Sequence, residues 1–143
     1  MSPAQTDSQV VRRHLLALRR AVDGLQKHVG QPVDALSESS DELWAVERGA
    51  QLCAQNALDI AIHIAASAGR DVPDYASAID TLAEIEVIPR EFAKRFRSVA
   101  GFRNILVHGY LDVDIEILHR TLNTRLRDFT EFAGYIEGFL QRP

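Results

Sequence analysis

The segment from residue 101 to residue 110 holds side chains that could cleave a phosphodiester bond. Arg103 is a permanent cation whose planar fork matches the oxygens of a phosphate group. His108 is the side-chain type that titrates near neutral pH, so it could take a proton from a ribose 2′-hydroxyl or give one to the leaving oxygen. Arg103 would offset the charge that builds on the phosphate oxygens. Such chemistry requires no metal ion.

The spacing of these two residues limits how they could act together. Positions five apart on an ideal helix lie about 140° from one another, so Arg103 and His108 do not share a face. Asn104 and His108 are four apart, and the Asn104 side chain could therefore hydrogen-bond the imidazole and orient it. Gly109 predicts a helix end in the left-handed conformation, which would leave His108 in the last turn and free to turn toward Arg103.

Two further polar residues lie on a long apolar segment. Asp59 and His63 are four residues apart, and Asp59 could support Arg103 through its carboxylate. Without a third clustered ligand they are weak evidence for a metal, so we predict none. The simpler interpretations are a polar patch lining a cleft between helices, or a core histidine with a partner. Cys53 lies on the apolar stripe and is interpreted as a small core residue.

Length and composition describe one ordinary globular domain. The 143 residues are 46% hydrophobic and 25% charged, which predicts a single domain over residues 1–143 whose core needs no disulfide. One cysteine excludes an internal disulfide and is typical of a reduced, cytoplasmic protein. The longest weakly polar stretch, residues 57–68, is shorter than the roughly 20 apolar residues of a membrane span. We see no secretory signal and expect no membrane partner.

The charge of the chain is unevenly distributed. The net charge of −4 argues against simple coating of nucleic acid. Residues 90–103, however, carry five basic side chains against one acidic side chain, a local charge of +4. This cluster could guide RNA phosphates toward the site, or it could be an ordinary solvated helix face. Glu47 and Arg48 are interpreted as a solvated or intersubunit ion pair that contributes little by itself.

Apolar residues recur at helical spacing in the first half of the chain. A stripe from Val11 to Val29 predicts the first helix. A longer stripe from Leu43 to Ile64 predicts the second, which should be the most buried. This helix should begin with a capping box, in which Ser39 and Glu42 each satisfy a free backbone N–H group.

The second half of the chain predicts three more helices. A short one fits residues 74–86, and Pro89 suits the first turn of the next, whose apolar seam includes Arg103. Residues 111–118 alternate like a strand, but the longer stripe from Ile115 to Leu140 favours a helix that Asp112 or Asp114 could cap. The predicted fold is therefore an all-α, up-and-down bundle of four long helices and one short helix.

The candidate motif resembles that of a known superfamily. Arg103-Asn104-x3-His108-x-Tyr110 is similar to the Arg-x4-His-x-Tyr motif of the HEPN superfamily, and specifically of HepT-like toxins. Nearly the whole chain shares the resemblance, in the expected order. The matching segments are Trp44-Ala45-Val46-Glu47-Arg48, Leu58 to Ile64, Val72-Pro73, Val87-Ile88-Pro89 and Ala100 to Asn104.

The resemblance implies a homodimer in which two copies of the motif face a shared cleft. Such a cleft would explain why Arg103, a charged residue, lies on the apolar seam of its helix. It implies a metal-independent endoribonuclease without a cofactor, in which Arg103 and His108 are catalytic and Asn104 is a polar partner. In these type VII-like toxin–antitoxin systems, an MntA-type nucleotidyltransferase transfers AMP from ATP to the tyrosine that matches Tyr110. AMP there would block RNA and place negative charge against Arg103.

Other classes of protein remain open. The chain could be a catalytically inactive HEPN module that binds nucleotide or docks to a nucleotidyltransferase, or a structural helical dimer in which the motif is coincidence. Arg103 and His108 would then be a surface arginine and a helix-end histidine, and Tyr110 a half-buried aromatic residue under the last helix. The motifs of P-loop NTPases, zincins and α/β-hydrolases are absent from the sequence.

Overall fold

A computed structural model describes residues 2–3, 6–109 and 114–143, and within these ranges it contains seven helices and no strand. The helices are α1 (Ser8–Gln26), α2 (Val33–Glu38), α3 (Ser40–Ser67), α4 (Tyr75–Glu84), α5 (Arg90–Phe96), α6 (Val99–His108) and α7 (Ile115–Leu140). The all-α prediction is confirmed. None of the described helices is both long enough and apolar enough to cross a membrane.

The long helix α3 lies at the centre of the bundle and packs against α1, α4, α6 and α7. Its apolar stripe is buried as predicted, with Cys53, Ile60 and Ile64 fully inaccessible. Gly49 allows α1 to approach closely, because a Cβ atom there would lie 2.7 Å from Cδ2 of Leu25. This buried helix therefore forms the platform against which α1, α4, α6 and α7 are positioned.

Two predicted helix starts are confirmed by their hydrogen bonds. The hydroxyl of Ser39 accepts from the backbone N–H of Glu42 at 3.3 Å, and the carboxylate of Asp114 accepts from the first turn of α7. The capping box is only half formed, because the Glu42 carboxylate contacts Nδ1 of His28 at 2.9 Å instead. Asp112, the alternative cap, lies outside the described residues.

The predicted fourth long helix is divided into α5 and α6. Arg97 and Ser98, which lie between α5 and α6, keep nearly helical backbone angles. The backbone carbonyl of Arg95 accepts the Ser98 hydroxyl at 3.1 Å and Nη2 of Arg125 at 2.8 Å. Side-chain donors thus enter the hydrogen-bond ladder at this point, which is a recognised cause of helix interruption. The second of these donors comes from α7.

Aromatic packing holds α5 against α7. The ring of Phe96 stacks on Phe92 with centroids 4.9 Å apart and on Phe132 at 4.8 Å, and it meets Phe129 edge to face at 5.6 Å. These rings are buried. Offset stacked and edge-to-face pairs stabilise a core beyond the area that they bury. They fix the direction in which the chain enters α6.

Two other details differ from the predicted pattern. The short helix α2 was not predicted, and it buries only Leu36. Val29 is 41% exposed because α1 ends at Gln26, three residues before the predicted stripe does. By contrast, the helical interpretation of the C-terminal segment is confirmed from Ile115 onward, while residues 111–113 lie outside the described ranges.

Candidate active site

Helix α6 carries three of the predicted site residues. Arg103 is half-buried, whereas Asn104 and His108 are exposed. The helix ends at His108, as predicted, but Gly109 has φ −93° and ψ 33° and is not left-handed. His108 therefore occupies the last turn without the glycine conformation that the sequence led us to expect. Tyr110 lies outside the described residues.

Three contacts from three helices hold the Arg103 side chain. Its Nε–H donates to Oε1 of Gln55 on α3 at 2.9 Å. The guanidinium carbon lies 5.2 Å from the ring centroid of Tyr75, the first residue of α4. Its Nη1 donates to Oδ1 of Asn104 at 3.2 Å. Hydrogen bonds to Gln55 and Asn104 therefore orient the edge of the guanidinium, and the Tyr75 ring packs against its face.

The Asn104 side chain does not form the hydrogen bond that the sequence predicted. We expected its side chain to hydrogen-bond the imidazole of His108, but its Oδ1 accepts from Arg103 instead. No hydrogen bond joins Asn104 to His108 in the part of the chain that the structure describes. Asn104 therefore orients the arginine rather than the histidine.

Asp59 is linked to Arg103 only through one intervening side chain, that of Gln55. Nε2 of Gln55 donates to Oδ1 of Asp59 at 2.8 Å, while Oε1 of the same amide accepts from Arg103. The predicted support by Asp59 is thus indirect. The structure connects Asp59, Gln55 and Arg103 in one hydrogen-bonded chain from α3 to α6.

His63 does not pair with Asp59. Its Nε2 atom is buried and has no hydrogen-bond partner among residues 2–3, 6–109 and 114–143, so the predicted core partner is not found there. The backbone carbonyl of His63 accepts from the Ser67 hydroxyl at 2.8 Å. Within the same ranges, no group of three or more His, Cys, Asp and Glu side chains could hold a metal ion.

The basic cluster at residues 90–103 is largely neutralised in three dimensions. Arg97 pairs with Asp80 on α4 at 3.1 Å, and Arg95 pairs with Asp128 and Glu131 on α7 at 3.3 and 3.2 Å. The Lys94 ammonium meets Glu91 at 3.0 Å. Carboxylates from other helices therefore remove most of the +4 charge that the linear sequence suggested. Within the described ranges, Arg90 and Arg103 have no ion pair.

Glu47 and Arg48 form no ion pair with each other among the described residues of one chain, and an intersubunit pair stays a prediction. Nη1 of Arg48 donates to Oε1 of Gln51 at 3.3 Å. Burial raises the pKa of the Glu47 carboxyl above its usual range.

Sequence reasoning missed two residues of the site, Gln55 and Tyr75. Gln55 has a recognisable signal, because Gln55, Asp59 and His63 recur every fourth residue on a helix that is otherwise apolar on its packed faces. Tyr75 has none, since its contact with Arg103 depends on how α4 lies against α6.

These features define the class of protein: a helical bundle in which one helix carries an oriented arginine and, five residues later, an exposed histidine. The family model described as "Ribonuclease HepT-like" matches residues 18–136, which contain the whole described site. The chain belongs to the HepT-like ribonuclease family.

Curated relatives and solved structures agree with this assignment. The tRNA nuclease HepT of Aphanizomenon flos-aquae is 26% identical over 133 residues, which are 92% of this chain and 90% of that protein. The mRNA nuclease HepT of Shewanella oneidensis is 27% identical over 62% of this chain and 67% of its own length.

The fold is that of solved HEPN toxins. The structure of the tri-AMPylated Shewanella oneidensis HEPN toxin in complex with MNT antitoxin has a TM-score of 0.78 at 22% identity, covering 90% of this chain and 97% of that one. YutE, a cytosolic protein of unknown function from Bacillus subtilis, has a TM-score of 0.82 at 18% identity, covering 95% and 92%.

Proposed function

We propose that this protein is a metal-independent endoribonuclease and the toxin of a type VII-like toxin–antitoxin system, with Arg103 and His108 as its catalytic residues. The observation that carries the proposal is the held guanidinium of Arg103. Of its five N–H groups, Nε–H and one on Nη1 have partners, and no hydrogen bond to described residues occupies the other three. They are free to bind phosphate oxygens.

The two residues divide the chemistry between them. Arg103 binds the phosphate oxygens and offsets the negative charge that develops on them. His108 removes the proton of the ribose 2′-hydroxyl or protonates the leaving oxygen, because an exposed imidazole at the end of α6 can reach a bound RNA. Asn104 and Asp59 act as supporting residues. Neither step uses a metal ion or a resident cofactor.

We further propose that the active form is a homodimer with a shared cleft. Arg103 and His108 lie on different sides of α6, so a second copy that faces α6 would let both line one groove. The large apolar side chains that remain exposed include Ile105 on α6, at 42%, and Trp44 on α3, at 66%, and they could contribute to such a contact.

Control of the toxin is assigned to Tyr110 and an MntA-type nucleotidyltransferase antitoxin. This assignment is supported by the HEPN toxin of similar fold, which is tri-AMPylated and in complex with MNT antitoxin. Tyr110 is two residues beyond His108 in sequence, so AMP transferred to it from ATP would add negative charge and bulk beside the site.

The first experiment measures cleavage of tRNA and of an mRNA transcript by purified protein, with and without EDTA. We expect EDTA to leave cleavage intact and His108→Ala to reduce the rate about 10²–10⁴-fold, the usual contribution of general acid–base catalysis. His108 is exposed, so this variant should keep the wild-type melting temperature. Arg103→Ala should also be inactive, while Arg90→Ala serves as the matched control for loss of an arginine.

Undiminished cleavage by His108→Ala would refute the assigned roles. Intact RNA with wild-type protein, combined with tight binding of the antitoxin, would instead favour a catalytically inactive docking or nucleotide-binding module. Intact-mass spectrometry after incubation with the antitoxin and ATP tests the control. Steps of ~329 Da, one AMP each, should appear and be lost in Tyr110→Phe.

A further inference from the structure

We propose that Gln55 is a positioning residue that holds the Arg103 guanidinium through a neutral amide and so keeps the Asp59 carboxylate from neutralising it. The inference rests on the proposed function, because it assigns to Arg103 the binding of an RNA phosphate. It concerns a residue on a different helix from the catalytic pair.

The orientation of the Gln55 amide is determined from both sides. The half-buried side chain presents Oε1 to Nε–H of Arg103 at 2.9 Å and its Nε2 to Oδ1 of Asp59 at 2.8 Å. A flipped amide would set N–H against N–H on one side and oxygen against carboxylate oxygen on the other. Asp59 therefore fixes the amide, and the amide fixes Arg103.

The neutral contact distinguishes Arg103 from Arg95 and Arg97. Arg95 and Arg97 each meet a carboxylate directly, at 3.3 Å and 3.1 Å. A carboxylate is the same kind of ligand for a guanidinium as a phosphate oxygen, so it competes for the same donors and cancels the charge. Arg103 has no such competitor among the described residues and keeps its full charge for a ligand.

The contacts also predict how phosphate approaches. Nε–H is occupied by Gln55, so the edge formed by Nε and Nη2 cannot bind a ligand in a bidentate manner. The Tyr75 ring lies over one face of the guanidinium. Phosphate should therefore bind through the free N–H groups of the two terminal nitrogens, Nη1 and Nη2.

A charge-swap series tests this role. Gln55→Glu places a carboxylate of almost unchanged shape against Arg103. The double variant Gln55→Glu/Asp59→Asn keeps both hydrogen bonds and the net charge, and moves only the carboxylate from position 59 to position 55. In each we expect the KM for tRNA to rise about 10-fold to 100-fold, as for loss of one charge-assisted hydrogen bond.

Salt dependence provides a readout that a purely structural role would not move. The slope of log Kd against log salt should become shallower by about 0.7 per site, because one phosphate is no longer neutralised. Binding is measured with fluorescently labelled tRNA in a His108→Ala background. Asp59→Asn alone should weaken binding less than either variant with glutamate at position 55, because the oxygen of the introduced amide can still accept from Gln55 and no carboxylate meets Arg103.

Gln51→Glu is the matched control. Gln51 lies on the same helix and also accepts a hydrogen bond from an arginine, Arg48, so this variant adds the same charge one turn away from the site. An effect of Gln51→Glu equal to that of Gln55→Glu would overturn the proposal. So would wild-type KM and salt slope in Gln55→Glu/Asp59→Asn with an unchanged melting temperature.

A second measurement separates this inference from the proposed function. If the wild-type protein neither binds nor cleaves RNA, the proposed function fails, but the accessibility of the guanidinium can still be read from its rate of modification by phenylglyoxal. Peptide mass spectrometry should show slower modification of Arg103 in Gln55→Glu/Asp59→Asn than in wild type, with the control Gln51→Glu unchanged. Equal rates in all three proteins would refute the role of Gln55.

Discussion

Removal of the Asp128 carboxylate should destabilise the junction that positions α6. Asp128 lies on α7 with a side chain 6% exposed, and it accepts from Nε of Arg95 at 3.3 Å and from Nε of Arg125 at 2.8 Å. Nη2 of Arg125 in turn donates to the Arg95 carbonyl and to the Ser98 hydroxyl, where α5 ends and α6 begins. One buried carboxylate thus orients both arginines that fasten the junction to α7.

The size of the effect follows from the burial of each partner. Loss of one partner of a fully buried pair costs roughly 3–5 kcal/mol. Arg95 and Arg125 are 46% and 37% exposed, so water can replace part of the lost carboxylate. We therefore expect Asp128→Ala to lower the free energy of unfolding by about 2 kcal/mol. With an unfolding entropy of roughly 0.3 kcal/mol/K for a chain of this length, Tm should fall by about 7 °C.

Calorimetry at fixed protein concentration measures the change, with Glu91→Ala as the control. Glu91 also pairs with a cation, Lys94 at 3.0 Å, but its side chain is 83% exposed. An exposed pair of this kind contributes at most about 0.5 kcal/mol, so the control should shift Tm by less than about 2 °C. Equal shifts in the two variants would show that burial does not increase the contribution of the Asp128 carboxylate to the free energy of unfolding, and would refute the reasoning.

Three further predictions concern the scaffold. Gly49→Ala should destabilise the protein by about 1–3 kcal/mol in urea denaturation, because its Cβ would lie 2.7 Å from a Leu25 methyl carbon. Gly134→Ala, with nothing within 4 Å, should instead stabilise it by about 0.5–1 kcal/mol; the same sign for both would contradict the packing argument. Burial raises the pKa of the Cys53 thiol to about 12, so iodoacetamide at pH 8 should label the urea-unfolded protein and spare the native one; rapid native labelling would disprove this. Backbone hydrogen bonding at the start of α4 lowers the pKa of Asp74 below its ordinary 3.8, so its stabilising contribution is present above that pH and is lost as the pH falls through the lower folded value. Asp74→Asn should therefore show a smaller acid-induced fall in Tm than wild type, and identical pH profiles would argue against the cap.

Much of the helical framework could be predicted from the sequence, because local patterns determine it. The apolar stripe from Leu43 to Ile64 predicts α3, and the side chains of Ser39 and Asp114 cap the helices that follow them. Each of these features depends on residues within a few turns of one another. Periodicity and side-chain hydrogen bonding to the adjacent backbone are therefore sufficient to predict these features. The motif around Arg103 and the HepT-like resemblance likewise required only the order of residues.

The sequence by itself therefore determined the helical class of the fold, several helix starts, the family, and the motif residues Arg103, Asn104 and His108. Only the tertiary structure decided which side chains meet. Arg125 interrupts the predicted fourth helix from α7, and carboxylates on α4 and α7 neutralise the basic cluster. Gln55 and Tyr75, on α3 and α4, orient Arg103. The physical reason is common to all three. Such contacts join residues far apart in the chain, and they depend on the relative rotation and position of packed helices, which no local periodicity encodes.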